Sequence, residues 1–86
     1  PNDSITREQL AAILYRYAVY RGMTAVTQEE NLGGFADADQ ISSYAVQAMN
    51  WAVGKGMLKG SDGLLMPKAQ ASRAQVAAIL HRFLEG

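Results

Sequence analysis

Two arginines sit where a cation is unexpected. Arg7 and Arg73 each follow a hydroxyl residue, Thr6 and Ser72, and each precedes an apolar pattern of helical spacing. A helix N-terminus carries partial positive charge, so a cation there is disfavoured by about 0.3–1 kcal/mol. The same terminus offers backbone N–H groups that hold anions. A guanidinium fork added to it suits a planar carboxylate. One reading is thus an anion pocket. The other is an arginine paired with a carboxylate such as Asp37 or Asp39, tying segments together. Arg16 and Arg82 also recur, but towards helix C-termini, where cations are favoured without any further role. Trp51 offers a face for stacking on a ligand ring or a large body for a small core. Tyr44 is the better groove wall, because its hydroxyl needs water or a partner.

Other chemistry does not assemble. His81 is the single histidine and takes the slot that Tyr15 holds in an equivalent segment, so it reads as a packing position. Asp37-x-Asp39 with Ser42 has the spacing of a calcium loop's opening, but the twelfth position is Ala48, where a bidentate Glu would stand. No serine, histidine and carboxylate are fixed together as a catalytic set. Gly33-Gly34 lacks the Lys-Ser/Thr of a phosphate loop. The sequence therefore points to no enzyme, no metal and no cofactor. The absence of cysteine excludes disulfides and thiol chemistry. Eight basic residues balance eight acidic ones, which removes long-range attraction to nucleic acid or anionic lipid. No apolar run approaches the roughly 18 residues of a membrane span. The opening Pro1-Asn2-Asp3-Ser4 reads as that of an excised or processed fragment.

The elements that must position these residues come from an internal repeat. Residues 6–17, TREQLAAILYRY, return 66 positions later as 72–83, SRAQVAAILHRF. Pro1 and Pro67 stand upstream of the two copies. Each copy opens on a capping box, Thr6 with Gln9 and Ser72 with Gln75. Leu10, Ile13, Leu14 and Tyr17 form an i, i+3, i+4, i+7 stripe, as do Val76, Ile79, Leu80 and Phe83. These spacings predict helices over 5–21 and 72–85. Ala45, Ala48, Met49 and Ala52 predict a third over 43–55, capped by Ser42 or Ser43 and ended by Gly54 and Gly56, the latter left-handed. Residues 23–34 read as a polar linker, 59–63 as a turn, and 64–66 as a few extended residues before Pro67. The expected fold is all-α, a small bundle of three main helices in one compact unit.

Phe35-Ala36-Asp37, Tyr44-Ala45, Ala48, Trp51-Ala52, Gly56-Met57, Gly60, Pro67 and Ser72-Arg73-Ala74-Gln75 occur in the order of the S-layer homology (SLH) pattern, which the chain resembles. Thr6-Arg7-Glu8-Gln9 resembles the T-R-A-E segment of a preceding repeat. Gln9 and Gln75 stand at the motif's Glu, Ser72 at its Thr, Tyr44 at its first Trp and Leu65 at the Phe of F-x-P. The resemblance implies three parts: a closing helix of one repeat at 1–22, a linker at 23–34 and a complete repeat at 35–86. It also implies a secreted, cell-surface module that binds pyruvylated secondary cell-wall polysaccharide. Arg7 and Arg73 would hold the acidic sugar, with Thr6, Ser72, Tyr44 and Trp51 beside them. An alternative of another class is a protein-interaction or homo-oligomeric module that uses the apolar faces left open where further repeats would pack.

Overall fold

A computed structural model describes residues 5–22, 32–60 and 63–85. Helix α1 runs Arg7–Tyr20, α2 Val46–Gly54 and α3 Arg73–Glu85. Two 3-10 turns, Ala38–Gln40 and Ser43–Ala45, lead into α2. No strand is named among the described residues; Thr6 and Gln70 form an isolated antiparallel bridge. The fold is the expected small all-α one. Most of the 23–34 linker lies outside the described residues, as do Ser61 and Asp62 of the expected turn.

Both capping boxes form. The Gln9 N–H donates to Thr6 Oγ1 at 3.2 Å, and the Thr6 N–H to Gln9 Oε1 at 2.9 Å. Ser72 and Gln75 repeat this at 3.1 and 2.8 Å. The substitution of Gln for Glu thus keeps both reciprocal bonds. Helix α2 ends in a Schellman motif at the expected residue. Gly56 has φ +78°, its N–H donates to Val53 O, and the Met57 N–H donates to Ala52 O.

The start of α2 differs from expectation. Ser42 and Ser43 do not cap it; the N-cap is Ala45, without a side-chain bond. Ser42 is drawn away because its N–H and hydroxyl both serve Glu8. Met66 is likewise not extended but left-handed, with φ 52°. The cause is Asp37, whose two carboxylate oxygens accept the N–H groups of Leu65 and Met66 at 2.9 and 2.8 Å.

α1 packs along α2 and the 3-10 turn that leads into it. The radius of gyration, 12.0 Å, equals the ~12 Å expected of a compact chain of this length. α1 buries Leu10, Ala11, Leu14 and Ala18 against the Ala45, Ala48, Met49 and Ala52 row of α2. The small residues let the two backbones approach. α3 buries only Ile79 and Phe83. The expected stripes are therefore split: Ile13 and Tyr17 of α1 stay 55 % and 46 % exposed, and Leu80 of α3 38 %. Trp51 is 3 % exposed and closes the core, packing edge-on against Tyr15 and Phe83 at ring separations of 5.4 and 6.1 Å.

Candidate functional site

The N-terminus of α1 is the junction of the molecule. Its first two amides are already taken: the Arg7 N–H donates to Ala69 O at 3.0 Å and the Glu8 N–H to Pro67 O at 3.1 Å. The third belongs to Thr6. The free amides expected at this terminus are thus consumed by the 67–69 segment. The Thr6 hydroxyl is occupied as a cap in the same way, as is that of Ser72 at α3.

What remains for an anion at this junction is the Arg7 side chain. Arg7 is buried, 8 % exposed. Its Nη2 donates to Lys59 O at 3.3 Å, and its Nε has no partner among the described residues. It pairs with neither Asp37 nor Asp39; Asp37 is spent on the Leu65 and Met66 amides. Arg7 lines a groove of about 300 Å³ together with Lys59 and, across from them on α3, Gln75, Ile79 and Arg82. Arg82 Nη1 donates to Met57 O at 3.1 Å and so fixes the turn that carries Lys59. The groove therefore gathers three cationic residues in a chain of zero net charge.

The sequence candidates divide. Arg7 lies in this groove. Arg73 stands exposed on the first turn of α3, outside the groove's lining. Tyr44 is 61 % exposed and lines a second, larger groove of about 560 Å³ between α1 and α2, with Ile5, Ile13, Tyr15 and Ala48. Trp51 is buried in the core and presents no open face to a ring.

Glu8 escaped the sequence reading. It is 3 % exposed and accepts from the Ser42 N–H at 2.9 Å, the Ser42 hydroxyl at 2.7 Å, the Tyr44 hydroxyl at 3.3 Å and Lys68 Nζ at 3.1 Å. Lys68 also meets the Ser42 hydroxyl. One carboxylate thereby ties α1 to the segment entering α2 and to the 67–71 loop. Burial pushes the Glu8 carboxyl up, but the Ser42 N–H and hydroxyl and the Lys68 ammonium outweigh it and hold it below its ordinary value. Asp37 behaves alike: burial raises it, and the Leu65 and Met66 amides bring it below the ordinary carboxylate value. The Tyr44 hydroxyl is raised, by desolvation and then by the Glu8 carboxylate beside it. One signal was available in the sequence. Glu8 is the position where the two copies of the repeat differ by a charge, the counterpart being Ala74.

Fold and site together define a small all-α module in which one helical segment occurs twice. The model of the S-layer homology domain matches residues 34–77. Three relatives align over nearly the whole chain. An amylopullulanase of Thermoanaerobacterium thermosulfurigenes is 40 % identical over 99 % of this chain and 5 % of its own length. Exoglucanase XynX of Acetivibrio thermocellus is 39 % identical over 99 % of this chain and 8 % of its own. The surface-layer 125 kDa protein of Lysinibacillus sphaericus is 32 % identical over 99 % and 7 %. No solved structure matches. The chain belongs to the S-layer homology domain family. It spans under a tenth of the length of each of these relatives, so the activities in their names belong to those whole proteins.

Proposed function

We propose that this chain is a non-catalytic module that attaches a secreted bacterial protein to the polysaccharide of the cell wall, with the Arg7 groove seating an acidic, pyruvylated sugar. The observation that carries the reading is the half-satisfied Arg7 guanidinium, buried at a groove it shares with Lys59 and Arg82. A pyruvate ketal adds one carboxylate to a sugar, and a guanidinium fork takes a carboxylate through two parallel hydrogen bonds. A volume near 300 Å³ stands at the lower end of ligand-sized clefts. Because the whole chain is neutral, recognition rests on this local cluster and not on long-range steering. The relatives add a second support. A unit of this length recurs in two carbohydrate-active enzymes and a surface-layer protein, as expected of an attachment module carried by dissimilar partners. Arg73, at the equivalent position of α3, is exposed and lies outside this groove.

The test is binding to purified cell-wall sacculi, with and without their polysaccharide, by the chain and by Arg7→Lys and Arg73→Ala variants. Arg7→Lys keeps the charge and removes the fork, and circular dichroism checks that it folds. Binding that requires the polysaccharide and falls in Arg7→Lys supports the reading. Folded Arg7→Lys that binds as well as the parent removes Arg7 from the site. No polysaccharide-dependent binding by the parent chain removes the anchoring role.

A further inference from the structure

The turn that follows α2 is held from two sides by guanidinium groups. Its amides are spent on the helix it leaves: the Met57 and Leu58 N–H groups both donate to Ala52 O, at 2.9 and 3.3 Å. Two of its carbonyls accept from arginines of the other helices. Arg82 Nη1 of α3 donates to Met57 O at 3.1 Å, and Arg7 Nη2 of α1 to Lys59 O at 3.3 Å. Both arginines line the groove of about 300 Å³, and no carboxylate lines it among the described residues.

The Arg7 bond is the looser of the two, just beyond the roughly 2.7–3.2 Å of ordinary N–H···O bonds. Lys59 O therefore steers the guanidinium without satisfying it. Nε and Nη2 share one edge of that planar group, so a partner on Nη2 also sets where Nε points. Nε is buried and has no partner among the described residues. Its direction is thus decided by where the turn puts Lys59 O. Burial of Met57 and Leu58 places the side chains of the turn, and the Arg82 bond fixes the peptide between them. Arg82 is carried there by its neighbours on α3, Ile79 and Phe83, the two buried residues of that helix.

We infer that Arg82 is a positioning residue for Arg7: its hold on Met57 O keeps the 57–59 turn where Lys59 O orients the Arg7 guanidinium in the groove. A cation in the last turn of a helix is favoured on charge alone, but that role asks for no bond to another element. The inference rests on the reading of Arg7 as the anion seat for its consequence, which is that an anion meets a guanidinium already aimed. Arg16, the residue of the same slot in α1, is exposed and lines the other groove beside Tyr44, and so serves as the control.

The test is hydrogen exchange at the Arg7 Nε–H, followed in proton–nitrogen correlation spectra of the chain and of Arg82→Gln, Arg82→Lys and Arg16→Gln. In Arg82→Gln this proton should exchange about fivefold faster, as the loss of one hydrogen bond implies. The backbone amides of Leu10, Ala11 and Leu14 in α1 should keep their rates. Arg82→Lys keeps the charge and one donor and should fall between, while Arg16→Gln should match the parent. A folded Arg82→Gln with an unchanged Nε–H rate overturns the inference; should that variant not fold, an Arg82→Lys rate equal to the parent's does so. An equal rise at the three α1 amides makes Arg82 a structural residue only, and overturns it too. Binding to the purified wall polysaccharide gives a second reading. Arg82→Gln should weaken it, and should weaken it no further in an Arg7→Lys chain. Full additivity of the two losses would put Arg82 on the anion itself and overturn the positioning role. A parent chain that does not bind the polysaccharide removes the anchoring reading alone, and exchange at Nε still decides whether Arg82 holds Arg7.

Discussion

Removing the Glu8 carboxylate should loosen α1 from the segment entering α2 and from the 67–71 loop. In Glu8→Ala the Ser42 N–H and hydroxyl and the Lys68 ammonium lose their acceptor. A hydrogen bond to a charged group contributes about 1.5–3 kcal/mol. The two Ser42 bonds are the part-buried ones and dominate. Lys68 is 57 % exposed at its side chain, and such a pair adds only about 0–1 kcal/mol. Against these stands the cost of holding a carboxylate at 3 % exposure. The expected loss is about 2–3 kcal/mol, a large share of the roughly 4–13 kcal/mol available to a chain of this length. The midpoint of thermal unfolding should fall by roughly 8–24 °C. Glu8→Gln keeps one acceptor for the Ser42 N–H but turns an NH2 towards Lys68, so it should lose about half as much. The sign of the pH dependence follows from the lowered carboxyl. The unfolded chain binds the proton more readily, so the stabilisation is complete above the ordinary value of 4.5 and is lost as pH falls through the lower folded value. Urea unfolding followed by the single buried Trp51 reads the loss directly. A Glu8→Ala chain within about 0.5 kcal/mol of the parent at pH 7 would refute the reasoning, since surface changes fall in that range. A loss as large at pH 3 as at pH 7 would refute it too.

Four further outcomes are expected. Gly60→Ala places a Cβ 2.2 Å from the Phe35 ring and 2.8 Å from Leu64 O, a backbone atom that cannot swing aside, so urea unfolding should show a loss of about 1–3 kcal/mol. Asp37→Asn leaves one acceptor for two amides and sets an NH2 against the other; it should cost about 1–3 kcal/mol in the same measurement and flatten the decline of stability below the ordinary Asp value of 3.8. Ser72→Ala removes the α3 cap and should cost about 1 kcal/mol by chemical denaturation, with the loss of helical circular dichroism confined to a small fraction. Phe83→Ala should cost about 3–5 kcal/mol in thermal melts while Leu84→Ala, at a residue 78 % exposed, stays within about 0.5 kcal/mol.

Local rules carried most of the fold. The capping boxes at Thr6 and Ser72 depend on a hydroxyl and an amide three residues apart, and that spacing is visible in the chain. Gly56 ends α2 because only a residue free of Cβ takes its φ cheaply. What could not be seen depended on segments far apart in sequence. Ser42 failed as a cap because Glu8, 34 positions away, competes for it. Arg82, which fits a helix C-terminus on charge alone, also holds the Met57 carbonyl 25 positions back. Met66 left the extended region because Asp37, 29 positions away, takes its amide. Arg7 marks a helix start in the sequence, yet its amide is consumed by Ala69 O and its buried side chain is left with an unpartnered Nε.

The apolar stripes failed for a reason that belongs to repeats. Successive residues on a helix are about 100° apart, so positions 10 and 14 mark one row and 13 and 17 another beside it. In α1 the row Leu10, Leu14 and Ala18 is buried against α2, and Ile13 and Tyr17 are open. In α3 the order reverses: Ile79 and Phe83 are buried, and Leu80 and Leu84 are open. The stripe 10, 13, 14, 17 draws two positions from each of two adjoining rows, which is why it reads as one face. The same twelve-residue pattern therefore appears here in two environments, and each row is seen buried in one of them. The distinction is a matter of neighbours, not of residue type, and a single-helix periodicity cannot contain it.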